Sequence, residues 1–162
     1  MNAIDLHIHS VYSDSSLSLA DILTSVKEKN LHTISITDHD TFACYKHLQE
    51  YSLPCAIVKG IEISAFDDTL QKPVHILGYG FGEDTPHVDA LCATTLQHRL
   101  KASLWQIEQL KKHGYKITKE EVENLAIDST AIYKQHIMDV MMKHGYSDGI
   151  YSDVYRKLFK NN

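Results

Sequence analysis

The 162-residue chain has few of the residues that mark several specialised classes of protein. Its three cysteines are odd in number and form no C-x-x-C pair, which argues against a disulfide framework or a cysteine-rich zinc site and favours the reducing cytoplasm. No apolar run approaches the ~20 residues of a membrane span. The first ten residues lack the basic and apolar regions of a secretory signal, so we expect neither export nor a membrane partner.

Positive charge is also scarce, above all in the first part of the chain. The net charge is −5, which disfavours loose adhesion to nucleic acid or to an anionic membrane. Residues 1–95 hold 13 of the 21 acidic residues but only five of the 16 basic ones. An acidic segment of this kind suits a cation-binding site, although solvated surface charge explains most such imbalances. Glycine-rich phosphate loops and the usual settings of a serine or cysteine nucleophile are missing too.

What is present is an ordinary globular composition with one unusual component. Hydrophobic residues make up 43% and charged residues 23% of the chain, which excludes wholesale disorder. The length corresponds to about one domain. Histidine is the exception, with 11 copies.

Strand patterns alternate with helix patterns over the first 85 residues. Ser18, with Asp21 three positions later, predicts a helix N-cap followed by a buried apolar stripe. A further helix is predicted over 42–51, and strand patterns occupy residues 3–9, 33–37, 56–58, 61–64 and 74–79. This alternation favours an α/β fold with a mainly parallel sheet or barrel.

From Pro86 onward the pattern is helical only. Helices are predicted over 87–113, 135–143 and 153–159. A capping box at Thr118 and Glu121 predicts the start of a further short helix. We expect Trp105 to lie in the core. We therefore expect a β/α part, residues 1–85, and an all-helical part, residues 86–162.

Histidines and carboxylates cluster at the ends of the predicted strands. In α/β folds the carboxyl ends of parallel strands are where catalytic groups gather. Imidazole with carboxylate is a ligand set for zinc, manganese or iron, and several such groups together suit a multinuclear hydrolytic site. A solvated strand face or a charged turn explains any one of these residues, but the set is harder to dismiss. The candidates are His7, His9, Asp14, His39, Glu62 and His75.

Five short motifs follow one another along this part of the chain. They are Asp5-Leu-His7-Ile-His9-Ser10, Ser13-Asp14, Thr37-Asp38-His39-Asp40-Thr41, Gly60-Ile-Glu62-Ile-Ser64 and His75-Ile-Leu-Gly78-Tyr-Gly80. In this order and spacing they resemble the successive motifs of the PHP (polymerase and histidinol phosphatase domain) family. The helical part more loosely resembles the insertion that interrupts the barrel in the family's nucleotide phosphoesterase branch.

The resemblance implies a distorted, TIM-like β/α barrel that holds up to three divalent ions, of Mn, Zn or Fe, at its strand ends. By position, His7 and His9 would bind one ion together with Glu62. His75 would bind a second ion with the same glutamate, which therefore bridges the two.

The resemblance also implies a third ion and a reaction. Asp14 and His39 would bind that ion, and catalysis would depend on His39 and Glu62. A metal-activated hydroxide would attack phosphorus, with the ions neutralising the charge that develops on the phosphoryl oxygens. Asp38 and Asp40 would orient the His39 loop rather than bind an ion.

In this branch the helical insertion supplies cations for the substrate phosphate. An arginine is usual shortly before a His-Ile pair, but this chain has Lys134 two residues before His136. Lysine keeps the charge and loses the bidentate fork of arginine. The substrate-binding candidates are Lys134, His136 and Arg99, although an exposed helix arginine is the commoner explanation of Arg99.

Further ligands of the family, in an Ala-His-Pro-like and an Asp-x-His-like segment, have no counterpart after His75. A closed β/α barrel needs roughly 200 residues or more, so we expect only its front part, with an open sheet edge. One hypothesis is a metal-dependent phosphoesterase acting on nucleotide phosphomonoesters or short oligonucleotide phosphodiesters. The alternative is a catalytically inert or split fragment, completed by a second chain or a missing C-terminal segment. Histidinol-phosphate hydrolysis and polymerase-linked proofreading fit the helical insertion less well.

Overall fold

The structure is a computed structural model that describes residues 3–159. The chain divides into two compact units, the first ending at Leu96 and the second beginning at Gln97. The division falls inside the 27-residue helix Pro86–Lys112, so this helix contributes residues to both units.

A three-stranded parallel sheet forms the centre of the first unit. Its strands lie in chain order, and the predicted alternation of strands and helices is confirmed. One helix connects the first two strands, and a short helix with a 3₁₀ turn (Leu48–Glu50) connects the second to the third. The elements are β1 (Ala3–Ile8), α1 (Leu19–Glu28), β2 (Leu31–Ile36), α2 (Ala43–His47) and β3 (Ala56–Ile57).

Helix α1 begins where the sequence predicts. The Ser18 hydroxyl accepts a hydrogen bond from the Asp21 amide, and the Asp21 carboxylate accepts one from the Ser18 amide, which satisfies two of the helix's free N–H groups. The apolar stripe of the helix is buried against Ile34 and Ile36 of β2. Each large side chain buried there contributes about 1.5–3 kcal/mol.

The next two strands depart from the predicted parallel arrangement. Strands β4 (Gly60–Asp67) and β5 (Lys72–Tyr79) form an antiparallel pair. Only residues 68–71 connect them, which is too short for a parallel crossover of a dozen or more residues. The Asp67 carboxylate accepts hydrogen bonds from the amides of Thr69 and Leu70, which stabilises the tight turn. The strands of residues 3–159 form no closed barrel.

Strand β1 is less buried than its apolar residues suggest. Ile4 is 59% exposed and Leu6 37% exposed. Within residues 3–159 only β2 pairs with β1, so one edge of this parallel strand is open.

The second unit contains the end of α3 (Pro86–Lys112) together with α4 (Lys119–Leu125), α5 (Lys134–Lys143) and α6 (Asp153–Phe159). Its core includes Ile107, Ile137 and Met141. Trp105 is 61% exposed, so the prediction that it lies in the core is wrong. Trp105 is two positions before the buried Ile107, which is roughly 200° around a helix, and therefore faces the other way. None of the helices between residues 3 and 159 has the length and apolarity that crossing a bilayer requires.

Candidate metal centre

The loop that follows β2 runs beside β4 and brings His39 next to Glu62. The amide of Asp40 donates to the Glu62 carbonyl at 3.0 Å, and the amide of Glu62 donates to the Asp38 carbonyl at 3.2 Å. These two hydrogen bonds form one isolated parallel bridge, in which His39 is paired with Glu62. His39 is therefore positioned by backbone pairing and not by its side chain alone.

The antiparallel pair presents His75 on the same face as Glu62. Ser64 of β4 lies opposite His75 of β5, and Glu62 lies opposite Leu77. Side chains that are opposite or diagonal across an antiparallel pair share a face. A turn that reverses the chain thus places a histidine beside a carboxylate that precedes it by 13 residues.

Glu62 is the centre of the cluster. Its side chain is 7% exposed, and its two carboxylate oxygens contact imidazoles from three different segments of the chain. Oε2 lies 3.0 Å from Nε2 of His7, 2.9 Å from Nε2 of His9 and 3.6 Å from Nδ1 of His39. Oε1 lies 2.8 Å from Nδ1 of His75.

The surroundings of Glu62 keep its carboxyl group ionised. Burial acts to raise the pKa of Glu62, but the hydrogen bond from His7 and the charges of His39, His9 and His75 outweigh burial and lower it. An ionised carboxylate among imidazoles is the protonation state that a metal ligand requires.

The side chains form three overlapping groups whose ligand atoms, within each group, lie within 4.8 Å of one another. Glu62, His9 and His39 each belong to two of these groups. Asp14, His7 and His75 each belong to one. The groups are His7–His9–Glu62, His9–Asp14–His39 and His39–Glu62–His75.

Two observations show that this donor set fits divalent ions. Nε2 of His7, Nε2 of His9 and Oε2 of Glu62 form a triangle with sides of 3.0, 2.9 and 3.2 Å. Neighbouring ligands on an ion bound at about 2.1 Å lie roughly 3.0–3.4 Å apart, which is nearly the same spacing. In addition, Nδ1 of His9 is buried and makes no hydrogen bond, although Oδ1 of Asp14 is 3.4 Å away. A cation between these two atoms would give Nδ1 of His9 a partner.

All six residues predicted as ligands are therefore brought together in the first unit. The backbone traces three separate routes to the cluster, from β1 and its loop, from the loop after β2, and from the β4–β5 pair. Their roles as ligands, and the catalytic roles of His39 and Glu62, stay predictions at this stage.

The predicted substrate-binding residues lie together in the second unit. The Arg99 guanidinium lies 4.5 Å above the centre of the Tyr133 ring. Burial and the positive charge of Arg99 lower the pKa of Lys134. His136 is buried, and its Nδ1 accepts a hydrogen bond from the Tyr133 amide at 3.1 Å.

Sequence reasoning missed Tyr45, whose hydroxyl group holds together the backbone segments next to the cluster. Its hydroxyl donates to the Ile36 carbonyl at 2.6 Å, with the Val58 carbonyl at 3.2 Å, and accepts from the Gly60 amide at 2.9 Å. It thereby connects the ends of β2 and β3 to the first residue of the strand that carries Glu62. Nothing in the local pattern of residues 42–51 identifies this tyrosine, because its partners are distant in sequence.

Comparison with known proteins identifies the family. The model of the PHP domain matches residues 5–160. This chain belongs to the PHP domain family.

Two curated relatives align with this PHP chain over most of its length. The phosphoribosyl 1,2-cyclic phosphate 1,2-diphosphodiesterase of Eggerthella lenta is 38% identical, over 97% of this chain and 61% of its own length. The 5′–3′ exoribonuclease Rnm of Escherichia coli is 25% identical, over 94% of this chain and 52% of its own length. The chain thus spans little more than half the length of the curated relatives it matches.

A solved structure has the same fold. A protein from Bifidobacterium adolescentis, assigned as a metal-dependent phosphoesterase, superimposes with a TM-score of 0.85 at 24% identity. The match covers 99% of this PHP chain and 57% of the other chain. The mixed α/β fold with a parallel sheet and helices is therefore shared with this structure.

Proposed function

We propose that this PHP chain carries the metal-binding part of a phosphoesterase that hydrolyses nucleotide phosphomonoesters or short oligonucleotide phosphodiesters. The observation that carries the proposal is the set of three ligand groups that meet at Glu62. Their mixture of imidazole and carboxylate suits Zn, Mn or Fe, and up to three ions would fit the three groups. When bound, such ions would supply Lewis acidity toward a phosphoryl group and activate water at neutral pH.

Some residues of the cluster would hold ions, and others leave it accessible to substrate. Glu62 is buried, the His39 side chain is 12% exposed, and both belong to two groups, so they hold neighbouring sites at a set separation. His7 and His75 are half-exposed, which leaves the cluster accessible on their side. We infer that a phosphoryl group approaches there, while Glu62 and His39 are the residues on which catalysis depends.

We further propose that the helical part binds the substrate phosphate. Arg99 lies over the ring of Tyr133, the residue that directly precedes Lys134, so a phosphate bound beside them would be attracted by both positive charges. The Tyr133 ring packs against the guanidinium of Arg99, and the buried His136 adds a third polar group at the start of α5. The names of the two curated relatives describe cleavage of a ribose cyclic phosphate and of RNA, which supports a phosphoester of ribose as the substrate class.

The finer architecture belongs to the same proposal. Residues 1–85 would form the front of a β/α barrel and residues 86–162 a helical insertion. The open edge of β1 within residues 3–159 supports this assignment, because an edge strand offers backbone N–H and C=O groups with which a further strand can pair. A cytoplasmic location is supported by the three free cysteines, two of which are buried.

The second candidate is a catalytically inert or split form that needs a further chain or segment to complete the barrel. The observation that favours it is that the chain spans 61% and 52% of the lengths of its curated relatives. In that case the three groups would bind ions, and turnover would require the remaining part.

Metal analysis of the purified protein tests the first step. We expect bound Mn, Zn or Fe, and we expect Glu62→Gln to lose most of it because two of the three groups then keep only imidazole ligands. His32→Ala is the matched control, since His32 is an exposed histidine of the same unit outside the three groups. A metal-free unmutated protein that takes up none of these ions would contradict the proposal.

Turnover separates the two candidates. A generic phosphodiester and a 5′-mononucleotide are incubated with the protein and added Mn²⁺. Hydrolysis that His39→Ala abolishes and His32→Ala retains supports the phosphoesterase. Bound metal without hydrolysis supports the inert or split form.

A further inference from the structure

Asp38 is a fully buried carboxylate that holds the loop after β1. Its Oδ1 accepts hydrogen bonds from the Ser10 amide at 2.7 Å and the Ser13 hydroxyl at 2.6 Å. Its Oδ2 accepts from the Ser10 hydroxyl at 2.6 Å. Three hydrogen bonds converge on this one side chain, so they anchor the loop to the residue that precedes His39.

Asp40, on the other side of His39, holds β4 instead. Its Oδ1 accepts from the Ser64 amide and its Oδ2 from the Ser64 hydroxyl, both at 2.7 Å. Asp40 has a φ of +58°, a left-handed conformation that aspartate tolerates better than most residues. This reversal lets two carboxylates that are only two residues apart reach different elements.

The two anchored segments carry different ligands. Ser13 immediately precedes Asp14, which belongs only to the group His9–Asp14–His39. Ser64 lies opposite His75, which belongs only to the group His39–Glu62–His75. Each aspartate thus connects the shared ligand His39 to the segment that completes one group.

We propose that Asp38 and Asp40 are positioning residues that set two ion sites separately. Asp38 sets the group that contains Asp14, and Asp40 sets the group that contains His75. The inference rests on the proposed metal-binding function and adds that each aspartate acts on a different ion site. Residues that orient metal ligands typically change affinity by about 10–100-fold when they are replaced, and we expect that change at one site only.

The test compares variants of the anchors with variants of the ligands. Ser13→Ala and Ser64→Ala each remove one hydroxyl donor from one aspartate and leave that carboxylate its amide donor. Asp38 also keeps the Ser10 hydroxyl, and the Ser13 hydroxyl lies 3.4 Å from Oδ1 of Asp14, so Asp38→Asn is the variant that tests Asp38 alone. Asp14→Ala and His75→Ala identify which class of sites each group provides. Mn²⁺ titration, followed by calorimetry and by the EPR signal of the free ion, gives the number of sites and the Kd of each class.

We expect Ser13→Ala to weaken the class of sites that Asp14→Ala removes by about 10-fold, and to leave the class that His75→Ala removes unchanged. Ser64→Ala should show the reverse pattern. Asp38→Asn and Asp40→Asn should show the same two patterns with larger changes. Variants that weaken both classes equally, or neither, would overturn the inference while leaving the metal-binding proposal intact.

Amide hydrogen exchange in the metal-free protein gives a readout that does not depend on ions. Asp38→Asn, which replaces a carboxylate by a weaker amide acceptor, should lower protection at the Ser10 amide and leave it unchanged at the Ser64 amide, and Asp40→Asn should do the opposite. If the unmutated protein binds no Mn²⁺, the proposed function fails, and exchange still decides whether each aspartate holds its own segment. Should either Asn variant not fold, Ser13→Ala and Ser64→Ala decide by the same measurement.

Discussion

Tyr45 offers a direct test of how the fold supports the metal centre. Its phenol group donates to the Ile36 carbonyl at the end of β2 and accepts from the Gly60 amide at the start of β4. Tyr45→Phe keeps the ring and removes only the hydroxyl. The change therefore removes the connection between these two strands without creating a large cavity.

The expected loss of stability follows from the groups that the hydroxyl satisfies. Gly60 and Ile36 are buried, and each would keep a backbone group that has lost its phenol partner. Each buried polar group left unsatisfied costs about 1–3 kcal/mol, so we expect a loss of about 3 kcal/mol in the free energy of unfolding. With a urea slope of about 1–3 kcal/mol per molar, the unfolding midpoint would fall by roughly 1–3 M.

Urea unfolding measures this loss, and amide exchange locates it in β2 and β4. Tyr51→Phe is the control, because Tyr51 is an exposed tyrosine of the same unit. We also expect weaker Mn²⁺ binding by Tyr45→Phe, since Gly60 begins the strand that carries Glu62. A free energy of unfolding within about 0.5 kcal/mol of the Tyr51→Phe value would refute this reasoning.

Three further predictions concern stability. Burial raises the pKa of Tyr45 to about 12, so the folded state holds this proton more tightly than a free phenol of pKa about 10. The first unit should therefore lose stability as the pH rises from about 10 to about 12, and urea unfolding of Tyr45→Phe should lack this loss. Gly60→Ala places a Cβ against the Ser35 hydroxyl and should cost about 1–3 kcal/mol in thermal melts, whereas Gly82→Ala, whose Cβ meets no atom within 4 Å, should not. Thr118→Ala removes the N-cap of α4 and should cost about 1 kcal/mol in urea unfolding, while serine at this position should retain most of it.

Local features of this fold were predictable because they depend on residues that are close in sequence. The Ser18–Asp21 and Thr118–Glu121 capping boxes form as predicted, since each partner lies three positions from the other. Gly114, just after the end of α3, adopts the left-handed conformation that is common where helices end, with a φ of +87°. These features need no knowledge of the rest of the chain.

The composition of the candidate site was predictable for a different reason. Histidines and carboxylates that follow strand patterns meet wherever parallel strands end at one edge, so His7, His9 and His39 were expected together. The contact between His75 and Glu62 depends on the antiparallel pair, which the pattern of alternating strands and helices did not predict. The ligand types were correct, while part of the geometry that unites them was not foreseen.

By itself, the sequence determined which residue types are available for metal binding, where most helices begin and end, and that the chain resembles the PHP family. Only the tertiary structure decided that β4 and β5 run antiparallel, that Trp105 and Ile4 are exposed, and that Tyr45 supports the strand of Glu62. The physical reason is the range of the interactions. Caps and helical periodicity involve neighbours along the chain, whereas burial and buried hydrogen bonds depend on partners that folding brings from distant positions.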